Sequence, residues 1–367
     1  MSKAEGTGQK AHVRSALAIA NFFKNGWRPS VRSILLPCAF CLLPLLLHGS
    51  PQDPPAPPSF QDWLAGVRGE ALSRGISQAT VDAALADLVP EPVIIARDRA
   101  QPEQTQSLDA YLAARLTPAA IASARAAALR HRTLLERVRA EYGIPEPIMV
   151  AIWGAESSFG QFQGVRPIVS ALATLAYDAR RPALFRNELF EALTILDRGL
   201  VAQADLKGSW AGAMGQPQFM PSSYLKYAKD FDGDGRADIW TSVPDVLASM
   251  ANYLKHAGWT GDERWGREVR VSKIAMARID KTVPMRATGC AAVRAMTQPR
   301  PLADWAELGV TLPDGAALPS ADLSASLLRG RLRHFLVYRN YNAILDYNCS
   351  NSYAIGIGLL ADRISVK

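Results

Sequence analysis

Residues 148–160 read Ile148-Met-Val-Ala-Ile-Trp153-Gly-Ala-Glu156-Ser157-Ser158-Phe159-Gly160. The run 148–153 is apolar on every face, which predicts a buried helix rather than a surface one. Glu156 falls at the end of that helix, between Trp153 and Phe159, at the edge of a dry core. Removal from water disfavours the ionised carboxylate and raises its pKa. An acid still protonated near neutral pH can protonate a leaving oxygen. The plainer reading of the same residues is a helix-terminal Glu paired with an arginine.

The chain has 367 residues, enough for one large domain or two ordinary ones. An apolar fraction of 49% with 20% charged residues is a globular composition. Much of the net charge of +7 sits in residues 1–50, where Lys3, Lys10, Arg14, Lys24, Arg28 and Arg32 face Glu5 alone. A nucleic-acid partner is therefore not expected, because the folded part lacks the basic excess such a partner needs. Residues 34–47 (ILLPCAFCLLPLLL) are uncharged and too short to span a bilayer. With Arg28 and Arg32 before them and His48-Gly49-Ser50 after, they read as an export signal ending near Gly49. The expected location is the periplasm. Cys38 follows Leu-Leu-Pro, a poor context for lipidation. Once Cys38 and Cys41 leave with the signal, Cys290 and Cys349 remain. In an oxidising compartment they can form a single disulfide closing a loop of about 58 residues. Such a closure contributes about 4 kcal/mol in the chain-entropy model. The alternative is two buried thiols.

Residues 51–58 (PQDPPAPP) form a proline-rich spacer within a linker over 50–59, and the folded domain is expected over 60–367. Its pattern is mostly helical. Thr117-Pro118 is an N-cap with proline at the first helical position, predicting one long helix toward Tyr142 that Gly143-Ile-Pro145 ends. Further helices are expected over 168–178, 183–198, 243–257 and 354–364. Between about 265 and 335 short segments such as Glu268–Val271 and Trp305–Leu312 alternate with Gly and Pro, suggesting a small β-containing insertion. The fold class is α+β, mostly α.

A second informative stretch is Gly208-Ser209-Trp-Ala-Gly212-Ala-Met-Gly215-Gln-Pro-Gln218-Phe-Met-Pro221-Ser-Ser-Tyr224. Its glycines allow tight turns and close approach of a ligand to the main chain, and Gln218 supplies both a donor and an acceptor. WGAESSFG (153–160), SWAGAMGQPQFMPSSYLKYAKDFDGDGRADIW (209–240), ANYLKHAGW (251–259) and FLVYRNYNAILDYNCSNSYAIGIGLLADRI (335–364) together resemble the MltB-type lytic murein transglycosylases, in register over roughly 60–364. The resemblance implies a lysozyme-like helical core with additional helices and a small β subdomain. It implies non-hydrolytic cleavage of the MurNAc–GlcNAc β-1,4 bond of peptidoglycan, leaving 1,6-anhydro-MurNAc ends. Glu156 matches the single catalytic acid. Gln218 matches a glutamine of the saccharide groove. Tyr253, Tyr347 and Tyr353 match groove aromatics, Asn348 matches the asparagine near the scissile sugar, and Ser209 matches the start of the loop flanking the acid.

The segment Asp230-Phe-Asp232-Gly-Asp234-Gly235-Arg236 opens like a calcium loop, with oxygen ligands at alternate positions and glycine at the sharp turn. Position twelve is Thr241, not the bidentate Glu. The relatives close this loop later, which points to Asp245. The expected structural calcium ligands are Asp230, Asp232, Asp234, the Arg236 carbonyl and Asp245; the alternative is an Asp/Gly turn capping the next helix. No cofactor is expected for catalysis. Ser223-Tyr-Leu-Lys226 has S-x-x-K spacing, but the S-D-N and K-T-G elements of penicillin-interacting serine enzymes are missing. The expected partner is the peptidoglycan glycan strand, bound by a monomer with at most peripheral association with the outer membrane or wall. A hydrolytic muramidase of the same fold and a non-catalytic wall-binding protein are the competing functions.

Overall fold

The structure, a computed structural model, describes residues 58–100 and 106–365. The expected export segment, Cys38, Cys41 and nearly all of the proline-rich spacer lie outside them. Among the described residues no helix is long and apolar enough to cross a membrane.

Three helices lead, α1 (Phe60–Ser73), α2 (Gln78–Ala84) and α3 (Pro92–Arg99), followed by α4 (Leu108–Arg115), α5 (Pro118–Arg130), α6 (Arg132–Tyr142) and α7 (Glu146–Ser157). Ser59, Ser77, Ser107 and Thr117 cap their helices, each side-chain oxygen accepting from a backbone N–H in the first turn. The single helix expected from Pro118 to Tyr142 is broken at His131, whose φ/ψ of −106°/19° is non-helical. The break has a tertiary cause: the His131 ring packs edge-on against Trp153 at 5.3 Å, so α5 and α6 pass the central helix in different directions. That central helix is α7, with Ile148, Met149, Val150, Ala151, Ile152 and Trp153 all at 5% exposure or less. Each large side chain buried this way stabilises the fold by roughly 1.5–3 kcal/mol.

A short ribbon, β1 (Arg166–Pro167), pairs antiparallel with β2 (Lys207–Gly208) on either side of α8 (Ile168–Tyr177) and α9 (Pro182–Asp197). Then come α10 (Pro221–Tyr227) and α11 (Val243–His256). The next segment builds an antiparallel five-stranded sheet from β3 (Gly266–Val271), β4 (Arg300–Pro301), β5 (Val310–Thr311), β6 (Ser324–Arg329) and β7 (His334–Val337), in the order β4-β6-β7-β3-β5. It also carries α12 (Lys273–Thr282), α13 (Ala291–Arg294) and α14 (Leu302–Glu307). The stretch expected as strand from Trp305 differs: Leu302–Glu307 is helical, and only Val310–Thr311 pairs. Trp305 explains it, since the helix turns the indole into the subdomain core, fully buried, with its N–H donated to the Ala325 carbonyl at 2.9 Å. The chain closes with α15 (Arg339–Tyr347) and α16 (Asn351–Ile364).

Three apolar cores result. One surrounds α7 with α11, α15 and α16; a second surrounds α8, α9 and the glycine-rich loop; a third fills the sheet subdomain. Tyr347 packs against the first two, marking the seam where the candidate site lies. Cys290 and Cys349 are joined as a disulfide with Cα atoms 6.5 Å apart, tying α13 of the sheet subdomain to the turn between α15 and α16.

Candidate active site

Helix α7 ends one residue after Glu156 because the chain turns left-handed there: Ser158, Phe159 and Gly160 have φ of 50°, 61° and 84°. Consecutive non-glycine residues in this region cost roughly 1 kcal/mol or more each and persist where the surroundings enforce them. Here the enforcement is visible. The turn folds Phe159 back onto the helix, edge-on to Trp153 at 5.4 Å. A Cβ added at Gly154 would lie 2.7 Å from the Phe159 ring, so the bare backbone at 154 is what admits it. Ser157 Oγ then accepts the Gly160 N–H at 3.0 Å. The result is a carboxyl group fixed at the end of a rigid helix.

Glu156 is 6% exposed, and its Oε1 accepts a hydrogen bond from the Tyr353 hydroxyl at 2.7 Å. Burial pushes its pKa up to about 7, while the Tyr353 hydrogen bond and the positive field of Arg115 pull weakly the other way. The arginine pair of the plainer sequence reading is absent: no salt bridge to Glu156 exists among the described residues, and Arg115 acts through its field. Tyr353 belongs to α16, whose first turn is set by Ser350 Oγ accepting the Tyr353 N–H at 3.3 Å. Burial among these groups raises the Tyr353 and Tyr347 hydroxyl pKa values well above the ordinary 10, so both stay protonated donors.

The other expected residues divide into those that line the seam and those that shape it. The Tyr347 hydroxyl donates to the Pro217 carbonyl at 2.7 Å, and that of Tyr253 to the Asp346 carbonyl at 2.9 Å. Their rings lie 4.8 Å apart and continue through Tyr227, 4.5 Å from Tyr253, and Phe219, 5.9 Å from Tyr347. Asn348 is buried, and its side-chain oxygen has no hydrogen-bond partner among the described residues. Gln218 sits in the left-handed region at φ 54°, with its side-chain amide donating to the Gly215 carbonyl at 2.8 Å and the Gln163 carbonyl at 3.2 Å. It therefore fastens the glycine-rich loop to the loop after Glu156. Ser209, expected at the groove, is buried, and its hydroxyl accepts from the N–H groups of Ala211 and Ala213. Its observed part is to hold the turn through Gly212 closed rather than to face a ligand.

Gln216 was not singled out in the sequence, yet it takes the Trp153 indole N–H on Oε1 at 2.7 Å and donates from Nε2 to the Trp240 carbonyl at 2.8 Å. It straps α7 to the loop. The dipeptide spacing Gln216-Pro-Gln218 offers two glutamines and no signal to separate them. Tyr111 and Arg115 on α4 also approach the site from a helix that nothing in its composition marks.

The acidic loop after α10 shows a different geometry. Carboxylate oxygens of Asp230, Asp232 and Asp234 lie within 4.8 Å of one another, all exposed. Asp230 also accepts the N–H groups of Gly233 at 2.7 Å and Gly235 at 2.8 Å, winding the loop around itself. Arg236 sits at the same turn, its N–H donated to Asp234 at 2.9 Å. Asp245 is placed differently from these three. It is fully buried, one oxygen accepting from the N–H of Phe231 and Asp232 and the other from that of Asp238. Asp245 lies in the first turn of α11, where its carboxylate satisfies amides of the loop, and it is not among the three converging carboxylates.

The family model described as the transglycosylase SLT domain matches residues 59–362. The chain belongs to the transglycosylase SLT domain family. As a member of that family it is 43% identical over 136 residues to the membrane-bound lytic murein transglycosylase B of Escherichia coli, an alignment covering 36% of this chain and 37% of that protein's length. Among solved structures, SltB3 of Pseudomonas aeruginosa in complex with NAG-anhNAM-pentapeptide superposes with a TM-score of 0.74 at 41% identity, over 83% of this chain and 79% of that one. The Escherichia coli lytic transglycosylase Slt35 in complex with calcium superposes at 0.68 and 26% identity, over 82% and 92%. The lysozyme-like, mostly helical fold with a small sheet is thus that of the transglycosylase SLT family.

Proposed function

We propose that the chain is a peptidoglycan lytic transglycosylase in which Glu156 acts as acid and then base in one turnover. The observation that carries the reading is a buried carboxyl group, its pKa lifted to about 7, held by one hydroxyl donor at the seam of two cores. It is protonated often enough to donate and acidic enough to take a proton back. Glycosidases ordinarily use two carboxyl groups, substrate-assisted enzymes being the exception. Here no acidic group is among those perturbing Glu156, and none lines the adjoining pocket.

Glu156 donates its proton to the leaving GlcNAc O4 as the C1–O4 bond breaks. The 2-acetamido group of MurNAc stabilises the positive C1. The Glu156 carboxylate then removes the proton of the MurNAc 6-hydroxyl as O6 bonds to C1, closing the 1,6-anhydro ring and restoring the acid. The tyrosine wall and the unpaired Asn348 amide oxygen are the groups suited to orient the sugars. The same reading makes peptidoglycan strands the partner, a monomer the working unit and the periplasm the place of action.

Asp230, Asp232 and Asp234 fit a structural calcium ion through their convergent oxygens, with the Arg236 carbonyl at the turn. Such an ion would neutralise the loop and fix it against α11. Digestion of purified sacculi by wild type and Glu156→Gln tests the catalytic reading. Wild type is expected to release anhydro-muropeptides by mass spectrometry, and the variant to lose roughly 10³–10⁴-fold in rate. Reducing ends, heavier by one water, would identify a muramidase; undiminished release by the variant would remove Glu156 from the chemistry.

A further inference from the structure

Beside the catalytic acid is a pocket of ≈ 330 Å³ that the chemistry above does not use. Helix α4 supplies Tyr111 and Arg115, the end of α7 supplies Ser158 and Phe159, and α16 supplies Tyr353 and Ile357. Tyr353 is shared with the acid, since its hydroxyl is the donor to Glu156. The pocket therefore opens next to the position of the reacting sugar. Most of its wall is apolar or hydroxylic, and its one cation is Arg115.

Arg115 makes no ion pair among the described residues. Its guanidinium is placed over the Tyr111 ring at 5.7 Å. Its Nε is buried and has no hydrogen-bond partner among the described residues. The buried Asp98, by contrast, is paired with Arg180 and Arg181. A guanidinium presents planar donors matched to a carboxylate, and a buried donor left unpaired is costly. A cation lying over an aromatic ring without an ion pair, in a small pocket beside a catalytic acid, is placed to meet an incoming acceptor.

We propose that Arg115 and this pocket form a subsite for a carboxylate carried by the muramyl residue being cleaved. The proposal rests on the transglycosylase reading and adds a specificity element to it. Muramyl residues carry such a group in two forms: the free lactyl carboxylate of a bare saccharide, or a carboxylate of the attached peptide. A carboxylate paired with Arg115 also cancels part of the positive field that Arg115 exerts on Glu156. Binding of the acidic substituent thus favours the protonated form needed for the first step.

Calorimetry on the full chain carrying Glu156→Gln, which binds without turnover, tests this. The probes are a neutral GlcNAc oligomer, GlcNAc-MurNAc with its free lactyl carboxylate, and GlcNAc-MurNAc-pentapeptide. The expected result is that adding Arg115→Gln weakens the carboxylate-bearing probes about tenfold and the neutral oligomer by less than about twofold. Loss confined to the peptide probe assigns the subsite to the stem, and loss shared with the bare disaccharide assigns it to the lactyl group. Equal loss for the neutral oligomer, or no loss for either acidic probe, overturns the proposal. Arg115→Lys, which keeps charge but not the planar fork, is expected to recover part of the difference, and an unchanged melting temperature in both variants excludes misfolding. Failure of the transglycosylase reading is read separately, as absence of anhydro products from sacculi digested by the otherwise unaltered chain.

Discussion

Two acidic regions of this molecule lie in neighbouring stretches of the fold and have opposite chemistry. Glu156 is alone, dry and held by a single hydroxyl, and its proton affinity is raised. Asp230, Asp232 and Asp234 are together, wet and wrapped by backbone N–H groups. The first arrangement stores a proton; the second gathers negative charge that favours a cation. Side-chain type does not separate them, since both are carboxylates. Solvent access and the kind of donor do.

The contrast can be broken or sharpened by experiment. The largest expected effect is on the support of the dry site. Cys349 lies between Asn348 and the cap of α16, so replacing both Cys290 and Cys349 by Ser unties the turn that leads to Tyr353. A loss of about 4 kcal/mol in the denaturant-derived stability is expected. A variant as stable as wild type would show that the turn is held by packing alone.

The next effect concerns Glu156 itself. Its pKa is raised from the ordinary 4.5 to about 7, so the folded state binds this proton more tightly than the unfolded state. Stability is therefore lost as pH rises from about 4.5 to about 7, and the deficit of about 3 kcal/mol is complete above that range. Glu156→Gln is expected to be more stable than wild type at pH 8, with the gain vanishing below pH 4.5. Equal melting temperatures at pH 8 would contradict the dry-site account. By the same sign, cleavage that needs the protonated acid declines as pH rises above about 7.

A smaller change is expected from Tyr353→Phe. Its hydroxyl favours the carboxylate form, so removing it moves the alkaline limb of the pH–rate profile upward and lowers turnover about ten- to hundredfold. A limb that stays in place would assign Tyr353 to packing only. Smallest of all is the wet site. Calcium at tenfold excess over its dissociation constant is expected to add about 1.4 kcal/mol of stability, seen as a rise in melting temperature that Asp230→Asn abolishes. Calorimetry without heat at millimolar calcium would leave the loop as an Asp/Gly turn.

Much of this was legible in the sequence, for local reasons. An apolar run with one acid at its end announced α7, and Asp and Gly at fixed spacing announced the acidic loop. What was not legible depends on long-range partners. The bond from Tyr353 to Glu156 spans 197 positions, and no periodicity encodes it. His131 breaks a helix that its own neighbours favour, because Trp153 lies against it. Asp245 is in the first turn of α11, yet its carboxylate binds amides of the preceding loop, a pairing set by where α11 begins. Arg115 is one arginine among many until α4 is packed beside the site.

Trp153 carries a further consequence. Its indole stands one helical turn before Glu156, bonded to Gln216 and touched edge-on by His131 and Phe159. The protein thus contains its own optical probe of the end of the helix that carries Glu156. The emission difference between wild type and Trp153→Phe isolates that indole from the chain's other seven tryptophans. Followed against pH or added saccharide, it reports occupancy and proton state at the site without a label.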